Sequence, residues 1–329
     1  MNAFIKVKNL VKEFPIKKGF LNKQTGAVHA VNNISFDIRK GETLGLVGES
    51  GCGKSTAGRC ILGLLPATSG SVKIEDLEIT KNDSTNWKNL RKRMQIVFQN
   101  PYSSLDPRMT VEKILKEPLI IHKNIAPKDQ NAFIAKILDL VGLDESILGR
   151  YPHEFSGGQR QRIGIARALV PEPEFIVADE PVSALDISIQ AQILNLLQKL
   201  KKDFQLTYLF ISHDLSVIRY VCDRIAVMYL GEIVEIAPVE ELFLNPKHPY
   251  TQALLSSVPF PDPERDLSKR IILKGDIPSP VNPPLGCKFH TRCPYRMEIC
   301  QKISPEKTTI NENHFVNCHW AASPPATQS

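Results

Sequence analysis

The stretch "GESGCGKST" follows the phosphate-binding pattern G-x-x-x-x-G-K-[ST]. It comes after the apolar run "TLGLV" and before the helical run "TAGRCILGLL", the context that the pattern requires. Glycines let the backbone turn its N–H groups toward phosphate oxygens, and a helix N-terminus adds a positive dipole end. The lysine would bridge β- and γ-phosphates, and the serine hydroxyl would bind magnesium. The residues predicted to contact a nucleotide here are Gly48, Ser50, Gly51, Gly53, Lys54, Ser55 and Thr56.

A second run, "FIVADEP", places Asp179 and Glu180 at the end of an apolar strand. The carboxyl end of a strand in an open α/β sheet is where a ligand crevice is expected. Asp179 would reach the magnesium ion, directly or through water, and Glu180 could act as general base on the attacking water. Two acids at a strand end can also be plain helix caps, but the upstream phosphate loop favours the catalytic interpretation.

Four cysteines near the end of the chain form a third group with possible chemistry. They are Cys287, Cys293, Cys300 and Cys318, separated by five, six and seventeen residues. Their surroundings are rich in proline and poor in core-forming residues, so a metal could staple the region. Unrelated thiols, or zinc with His290 or His319 replacing a cysteine, are the alternatives. There is no C-x-x-C pair, and the spacing departs from ferredoxin patterns, so spacing alone leaves the metal undecided.

Apolar strand runs alternate with helical patterns, which predicts an α/β fold. Proline breaks followed by helical periodicity indicate a helical insertion over about residues 100–170, and a proline-rich composition begins after residue 245. We therefore predict a domain over 1–245 and a loop-rich extension over 246–329. The net charge of +6 is spread along the chain and marks no nucleic-acid binder. Without a signal peptide or a long apolar run, the chain is expected to be cytosolic or peripheral on another protein.

At "FSGGQRQR" the sequence resembles the signature motif of ABC ATPases. The other motifs of that family match in order from residue 4 to about 240: an adenine-stacking aromatic at Phe14, the Q-loop glutamine at Gln99, a D-loop at "SALD" and the switch histidine at His213. The resemblance implies a P-loop NTPase cassette, with a RecA-like core, an antiparallel β-subdomain and a helical subdomain. It also implies that the nucleotide is ATP with Mg²⁺.

The family mechanism gives each of these residues a role. The signature residues Ser156, Gly157, Gly158 and Gln159 precede a helix and would meet the γ-phosphate bound by an opposing subunit, so two nucleotides lie in a head-to-tail dimer. Gln99 would contact the magnesium ion, and His213 would hold the γ-phosphate and orient the water.

Longer stretches of the sequence resemble one particular group of ABC ATPases. "FQNPYSSLDPR", "DEPVSALDISIQAQILNLL" and "NPKHPYTQALLSSVP" resemble the ATP-binding subunits of oligopeptide/dipeptide permeases, and the N-terminal insertion resembles the second of their two paired ATPases. This implies a heterodimer with a sister ATPase, two transmembrane permease subunits, an extracytoplasmic peptide-binding protein and a peripheral position on the cytoplasmic face of the membrane. Nickel or another small solute is the alternative cargo, and a soluble nucleic-acid ATPase is the remote one.

The same resemblance bears on two further regions. Permease ATPases with this C-terminal element hold a [4Fe–4S] cluster on four such cysteines, which implies that cluster here, with Zn²⁺ as the alternative. In importers the surface after Gln99 receives a coupling helix from the membrane subunit. Its residues Tyr102, Leu105 and Pro107 could equally be local core.

Overall fold

The buried strands of the chain fall into two units, each built from separate stretches of sequence. The computed structural model describes residues 3–19, 23–79, 87–122, 125–257 and 271–322. The first unit comprises residues 1–4, 38–43 and 81–211, and the second comprises 5–37, 44–80 and 212–329.

The first unit contains three parallel strands in the order β8-β7-β6. They are β6 (Met94–Val97), β7 (Phe175–Asp179) and β8 (Thr207–Ser212). Phe175 lies opposite Met94 on one side and Thr207 on the other. Every residue of β7 and β8 is buried, which is the reason for their continuous apolar runs. The apolar strand predicted at "FIVAD" is therefore confirmed.

Helices make up most of the rest of this unit, and the described residues between β6 and β7 form helices and turns without a strand. In α7 an apolar stripe is buried at Ile193, Leu196, Leu197 and Leu200. The helices are α2 (Trp87–Arg93), α3 (Pro101–Ser104), α4 (Val111–His122), α5 (Gln130–Leu140), α6 (Gly157–Leu169) and α7 (Ile187–Phe204), with 3₁₀ turns at Pro127–Asp129, Glu145–Ile147 and Pro152–Glu154.

The second unit contains a small sheet and part of a larger one. The small sheet has the order β2-β1-β4-β5, and β1–β4 and β4–β5 pair antiparallel. Its strands are β1 (Ala3–Lys18), β2 (Lys23–Arg39), β4 (Ser69–Ile74) and β5 (Leu77–Glu78). The antiparallel β-layer implied by the family resemblance is therefore present.

The larger sheet of this unit joins the phosphate-loop strand to the end of the chain in the order β11-β12-β10-β9-β3. β3 is parallel to β9, and β9 and β10 form an antiparallel hairpin. The C-terminal extension then adds a further hairpin, with Ile236 of β10 opposite Phe315 of β12. The strands are β3 (Thr43–Val47), β9 (Arg224–Tyr229), β10 (Glu232–Pro238), β11 (Lys307–Asn311) and β12 (His314–Asn317).

The extension is thus less loop-like than its composition suggests. Proline at the first helical position is compatible with a helix, because its missing N–H has no intrahelical partner there, and Pro249 starts α10 in this way. The helices of the second unit are α1 (Lys54–Ile61), α8 (Leu215–Val221), α9 (Val239–Leu244), α10 (Pro249–Ser256), α11 (Glu298–Lys302) and α12 (His319–Ala322). None of the helices in the described ranges is long and apolar enough to span a bilayer.

Candidate functional site

The predicted phosphate loop connects β3 to α1 in the second unit, and its glycines are required by close backbone contacts. A Cβ atom on Gly48 would lie 2.1 Å from the Met228 carbonyl oxygen. One on Gly53, whose φ is 105°, would lie 2.0 Å from the Ala30 carbonyl oxygen. Side chains at either position would force the loop off its neighbouring strands. The glycines therefore serve the tight packing of the loop as well as its open backbone.

Lys54 is the first residue of α1 and is buried beneath the loop. Its Nζ donates hydrogen bonds to the carbonyl oxygens of Gly48, at 2.8 Å, and Glu49, at 3.0 Å. It also contacts the Cys52 sulfur at 3.8 Å. A buried ammonium with these uncharged partners retains a net charge that attracts an anion entering the loop. Burial raises the pKa of the Cys52 thiol, although the Lys54 charge opposes the shift, so Cys52 is a neutral loop residue. Ser55 and Thr56 are half-buried in the first turn of α1.

The predicted acids lie at the end of β7 in the first unit. Asp179 is buried, and Glu180 follows it with a φ of 48°, in the left-handed region that non-glycine residues rarely adopt. The Glu180 N–H donates to the Ile211 carbonyl at 3.0 Å, and its carbonyl accepts the Ser183 hydroxyl at 3.1 Å. Such strain persists where surrounding contacts hold it, and it is common at catalytic positions.

Gln99 meets Glu180 directly. Its Nε2 donates to Glu180 Oε2 at 2.8 Å, although the two residues are 81 positions apart in sequence. Because the amide nitrogen donates to the carboxylate, the Gln99 side-chain oxygen is the atom that would ligate a metal ion. The predicted ligands Ser55, Gln99 and Asp179 offer oxygen donors, the type that Mg²⁺ prefers. This donor chemistry fits the implied ion.

The signature residues begin helix α6 through a capping box. Ser156 Oγ accepts the Gln159 N–H at 3.3 Å, and Gln159 Oε1 accepts the Ser156 N–H at 3.1 Å. The glycines between them admit neighbouring side chains. A Cβ on Gly157 would lie 3.3 Å from Leu185, and one on Gly158 would lie 2.6 Å from Ile189. The D-loop and the start of α7 therefore pack on the signature turn.

Two other predicted residues lie in the second unit. His213 is exposed directly after β8 and precedes Asp214, which caps α8. Phe14 lies on β1 with 37% of its surface exposed, and the Lys12 ammonium lies 4.9 Å from the ring centroid. An exposed aromatic ring of this kind can stack on a planar base.

Sequence reasoning missed two C-terminal residues that contact the phosphate loop. The Arg292 guanidinium forms a bidentate ion pair with Glu49, with N–O distances of 2.8 and 3.2 Å. The Glu49 N–H donates to the Tyr250 hydroxyl at 2.9 Å. These contacts join positions more than 200 residues apart, and no local sequence pattern reports them. The motif "HPY" was a possible signal, since His248 Nδ1 caps α10 and leaves Tyr250 buried.

The four C-terminal cysteines are free thiols of the second unit, three of them buried and Cys293 half-buried. Burial raises the pKa of Cys287 to about 12 and that of Cys293 to about 11, and the charges of the other cysteines add to both shifts. The Cys287 N–H also donates to the Cys300 carbonyl at 2.9 Å, and Cys318 follows β12. Within the described part of the chain, no group of three or more His, Cys, Asp or Glu residues could hold a metal ion.

The implied metals fit these thiols unequally. A single zinc ion needs four donors about 2.0–2.3 Å from one point, and the described residues do not offer that arrangement. Both candidate histidines also contact backbone oxygens, His290 Nδ1 that of Cys287 at 2.8 Å and His319 Nε2 that of Ile303 at 2.9 Å. An iron–sulfur cluster spreads its four cysteines over several iron atoms, so the three buried thiols and half-buried Cys293 match it in donor type and number.

The surface after Gln99 is divided between core and solvent. Leu105 is buried, whereas Tyr102 is 60% exposed and Pro107 is exposed. The Arg160 guanidinium lies 4.1 Å from the Tyr102 ring centroid. Leu105 is therefore local core, and the other two residues remain available to a partner.

Comparison with known proteins places this geometry in a family. The model of the family "ABC transporter" matches residues 31–183, and that of "Oligopeptide/dipeptide transporter, C-terminal region" matches residues 234–300. The chain is 52% identical over 319 residues to the oligopeptide transport ATP-binding protein AppF of Bacillus subtilis, covering 96% of this chain and 97% of that protein. It is 48% identical over 314 residues to a putative peptide import ATP-binding protein of Brucella ovis, covering 95% and 96%.

Solved structures agree on the fold. The ATP-binding cassette MJ0796, in a dimeric post-hydrolysis state bound to ADP and phosphate, has a TM-score of 0.62 and 30% identity over 71% of this chain and 98% of its own. CbiO1 of Clostridium perfringens, part of the ABC transporter complex cbiONQ, has a TM-score of 0.63 and 25% identity over 74% and 92%. This chain therefore belongs to the ABC transporter ATPases, among the ATP-binding proteins that carry the oligopeptide/dipeptide transporter C-terminal region.

Proposed function

We propose that this chain binds MgATP and hydrolyses it to power the import of di- or oligopeptides through a membrane transporter. The observation that carries the chemistry is the hydrogen bond from Gln99 to Glu180 at the end of β7. Glu180 has a left-handed backbone, and its carboxylate lies beside the Gln99 amide. The C-terminal region and the names of the relatives support the peptide cargo.

Nucleotide binding rests on the phosphate loop. Phe14 stacks on the adenine, and the loop N–H groups and the α1 dipole bind the phosphates. Lys54 exchanges its carbonyl partners for β- and γ-phosphate oxygens, which is favourable because the negative charge of the phosphate attracts the ammonium more strongly than a neutral carbonyl dipole does. The loop residues that take part are Gly48, Ser50, Gly51, Gly53, Lys54, Ser55 and Thr56.

Hydrolysis uses the polar residues that follow the central strands. Glu180 accepts the proton of the attacking water. Gln99 orients Glu180 and would contact the metal ion, and His213 holds the γ-phosphate. Ser55, Asp179 and Gln99 would hold a magnesium ion, and its charge would offset that of the phosphates. The left-handed backbone of Glu180 fixes where its carboxylate points.

The signature turn acts on a second nucleotide. Ser156 and the N–H groups of Gly157, Gly158 and Gln159 contact the γ-phosphate held by an opposing ATPase subunit, which we propose to be a sister protein. The capping box already orients these groups at the start of α6. The remaining partners are two transmembrane permease subunits and an extracytoplasmic peptide-binding protein. We propose no nucleic-acid partner. The chain lies on the cytoplasmic face of the membrane, where exposed Tyr102 receives the coupling helix.

The experiment that tests this function is affinity purification of the tagged chain from detergent-solubilised membranes. We expect two transmembrane subunits and a second ATPase in the purified complex, and nanomolar to micromolar peptide binding by the cognate receptor. If the receptor binds nickel and no peptide, the chain powers the import of nickel, the alternative cargo, instead of peptides. Purification with nucleic acid and without membrane subunits would contradict the proposal.

We further propose that Cys287, Cys293, Cys300 and Cys318 hold a [4Fe–4S] cluster. Its support is that three buried thiols and half-buried Cys293 interact electrostatically with one another, in a segment that has few apolar core residues. The four cysteines would let such a cluster cross-link α11 and the residue after β12 to the loop that precedes α11. Anaerobic preparations of wild type should contain four iron and four sulfide ions per chain. The Cys300→Ser variant should lose this iron and sulfide. One zinc per chain without iron would contradict this assignment.

A further inference from the structure

Arg292 links the C-terminal segment to the phosphate loop. Both Nη atoms contact the two carboxylate oxygens of Glu49, and the guanidinium is 8% exposed while Glu49 is 24% exposed. Bidentate pairs in such shielded positions have a fixed geometry and are stronger than exposed ion pairs. Glu49 belongs to the loop that must accept phosphate, so Arg292 acts on the nucleotide site from outside it.

Aromatic packing fixes the position of Arg292. Tyr229, Tyr250 and Phe289 form a cluster with ring centroids 4.7 to 5.4 Å apart. The Arg292 guanidinium lies 5.9 Å from the Tyr229 ring centroid, and the Tyr250 hydroxyl accepts the Glu49 N–H. Residue 49 is therefore held by its side chain and by its backbone, in each case by a residue of the C-terminal extension.

The charge of Glu49 explains why such a link matters. A carboxylate in a phosphate loop repels the incoming triphosphate, and at an effective dielectric of about 20 one like charge at roughly 10 Å weakens binding about tenfold. Arg292 offsets that charge at short range. Lys54, the other cation at the loop, contacts the Glu49 carbonyl rather than its carboxylate.

We propose that Arg292 is a positioning residue for ATP, which neutralises Glu49 and holds the phosphate loop ready for the nucleotide. This inference rests on the proposed nucleotide site. It also makes the oligopeptide/dipeptide C-terminal region part of the nucleotide-binding machinery of this chain.

The test is titration of the full-length chain with a fluorescent ATP analogue in the presence of magnesium. We expect Arg292→Ala to weaken binding about tenfold, and Arg292→Lys, which keeps the charge, by threefold or less. In the double variant Arg292→Ala/Glu49→Gln the affinity should return to within about threefold of wild type, because no unpaired carboxylate remains. Arg296→Ala removes an exposed arginine of the same segment and serves as the matched control.

Recovery in the double variant distinguishes neutralisation of charge from a merely structural role. Arg292→Ala with wild-type affinity, or a double variant as weak as Arg292→Ala, would overturn the inference. If Arg292→Ala fails to fold, Arg292→Gln in the same pair of backgrounds gives the same comparison. Lys54→Ala distinguishes the two proposals. If Lys54→Ala binds ATP as wild type does, the nucleotide site itself is overturned. If Lys54→Ala loses ATP binding while Arg292→Ala keeps it, this inference alone is overturned.

Discussion

Replacing Glu180 with glutamine removes the proposed general base while preserving its surroundings. Gln99 donates through Nε2 to Glu180 Oε2 at 2.8 Å, and the carbonyl oxygen of a glutamine at position 180 can accept the same hydrogen bond. The left-handed backbone at this position, with a φ of 48°, is retained because the two side chains have the same shape. Only the charge and the ability to accept a proton are lost.

The expected magnitude follows from what is removed. General base catalysis contributes about 10²- to 10⁴-fold, which corresponds to about 3–5 kcal/mol of activation free energy. The Gln99 hydrogen bond changes from charge-assisted to neutral, a loss of about 1 kcal/mol in the ground state. We therefore expect kcat to fall at least a hundredfold while the Kd for ATP changes by threefold or less.

Two measurements are needed, ATP binding by the purified chain and steady-state hydrolysis by the assembled transporter. Glu172→Gln is the matched control, because Glu172 is exposed in the same unit and also has a left-handed backbone, with a φ of 57°. It receives the same substitution at the same type of backbone conformation. Its kcat should equal that of wild type.

The reasoning fails if Glu180→Gln hydrolyses ATP at more than about a tenth of the wild-type rate. It also fails if the variant loses hydrolysis only because it no longer binds ATP. In that case Glu180 supports the fold of the site rather than the proton transfer.

Three other changes test separate parts of the structure. Ser156→Arg should abolish hydrolysis of the nucleotide bound by the opposing subunit and spare binding to its own loop, which assays with one mutated subunit will reveal. Gly158→Ala should lower the melting temperature by the equivalent of about 1–3 kcal/mol, because its Cβ meets Ile189 at 2.6 Å; Gly149→Ala, with open space around it, should not. The pKa of His314 is lowered by burial but raised more by hydrogen bonds to Glu235 and Glu241, so its net shift is upward. The stabilisation is complete below about pH 6.5 and is lost as pH rises through the higher folded pKa, so thermal melts of wild type should lose more stability than His314→Gln on going from pH 6 to 8.

Local signals made the proposed nucleotide residues predictable. The phosphate loop, the end of β7 and the start of α6 each combine a strand or helix pattern with residues suited to phosphate or metal chemistry. The runs "TLGLV" and "FIVAD" are apolar apart from Thr43 and Asp179 because both strands are buried on both faces. Their order in the chain then identified the motifs between them.

Long-range contacts could not be predicted in this way. The pairing of Arg292 with Glu49 spans 243 residues, and nothing in either neighbourhood selects the other. The hairpin of β11 and β12 was missed for a different reason. In "KTTIN" and "HFVN", which are joined by "EN", polar and apolar residues alternate only weakly. Pairing with β10 is what makes these two strands a stable edge of the sheet.

The most direct test of the central claim is uptake of labelled peptide into proteoliposomes that contain the complete transporter and its binding protein. The chain is used as wild type or as Glu180→Gln, with ATP on the side of the ATPase subunits. The account predicts ATP-dependent uptake by wild type and at least a tenfold slower uptake by the variant. Uptake that proceeds without ATP, or at the same rate in both, would contradict it.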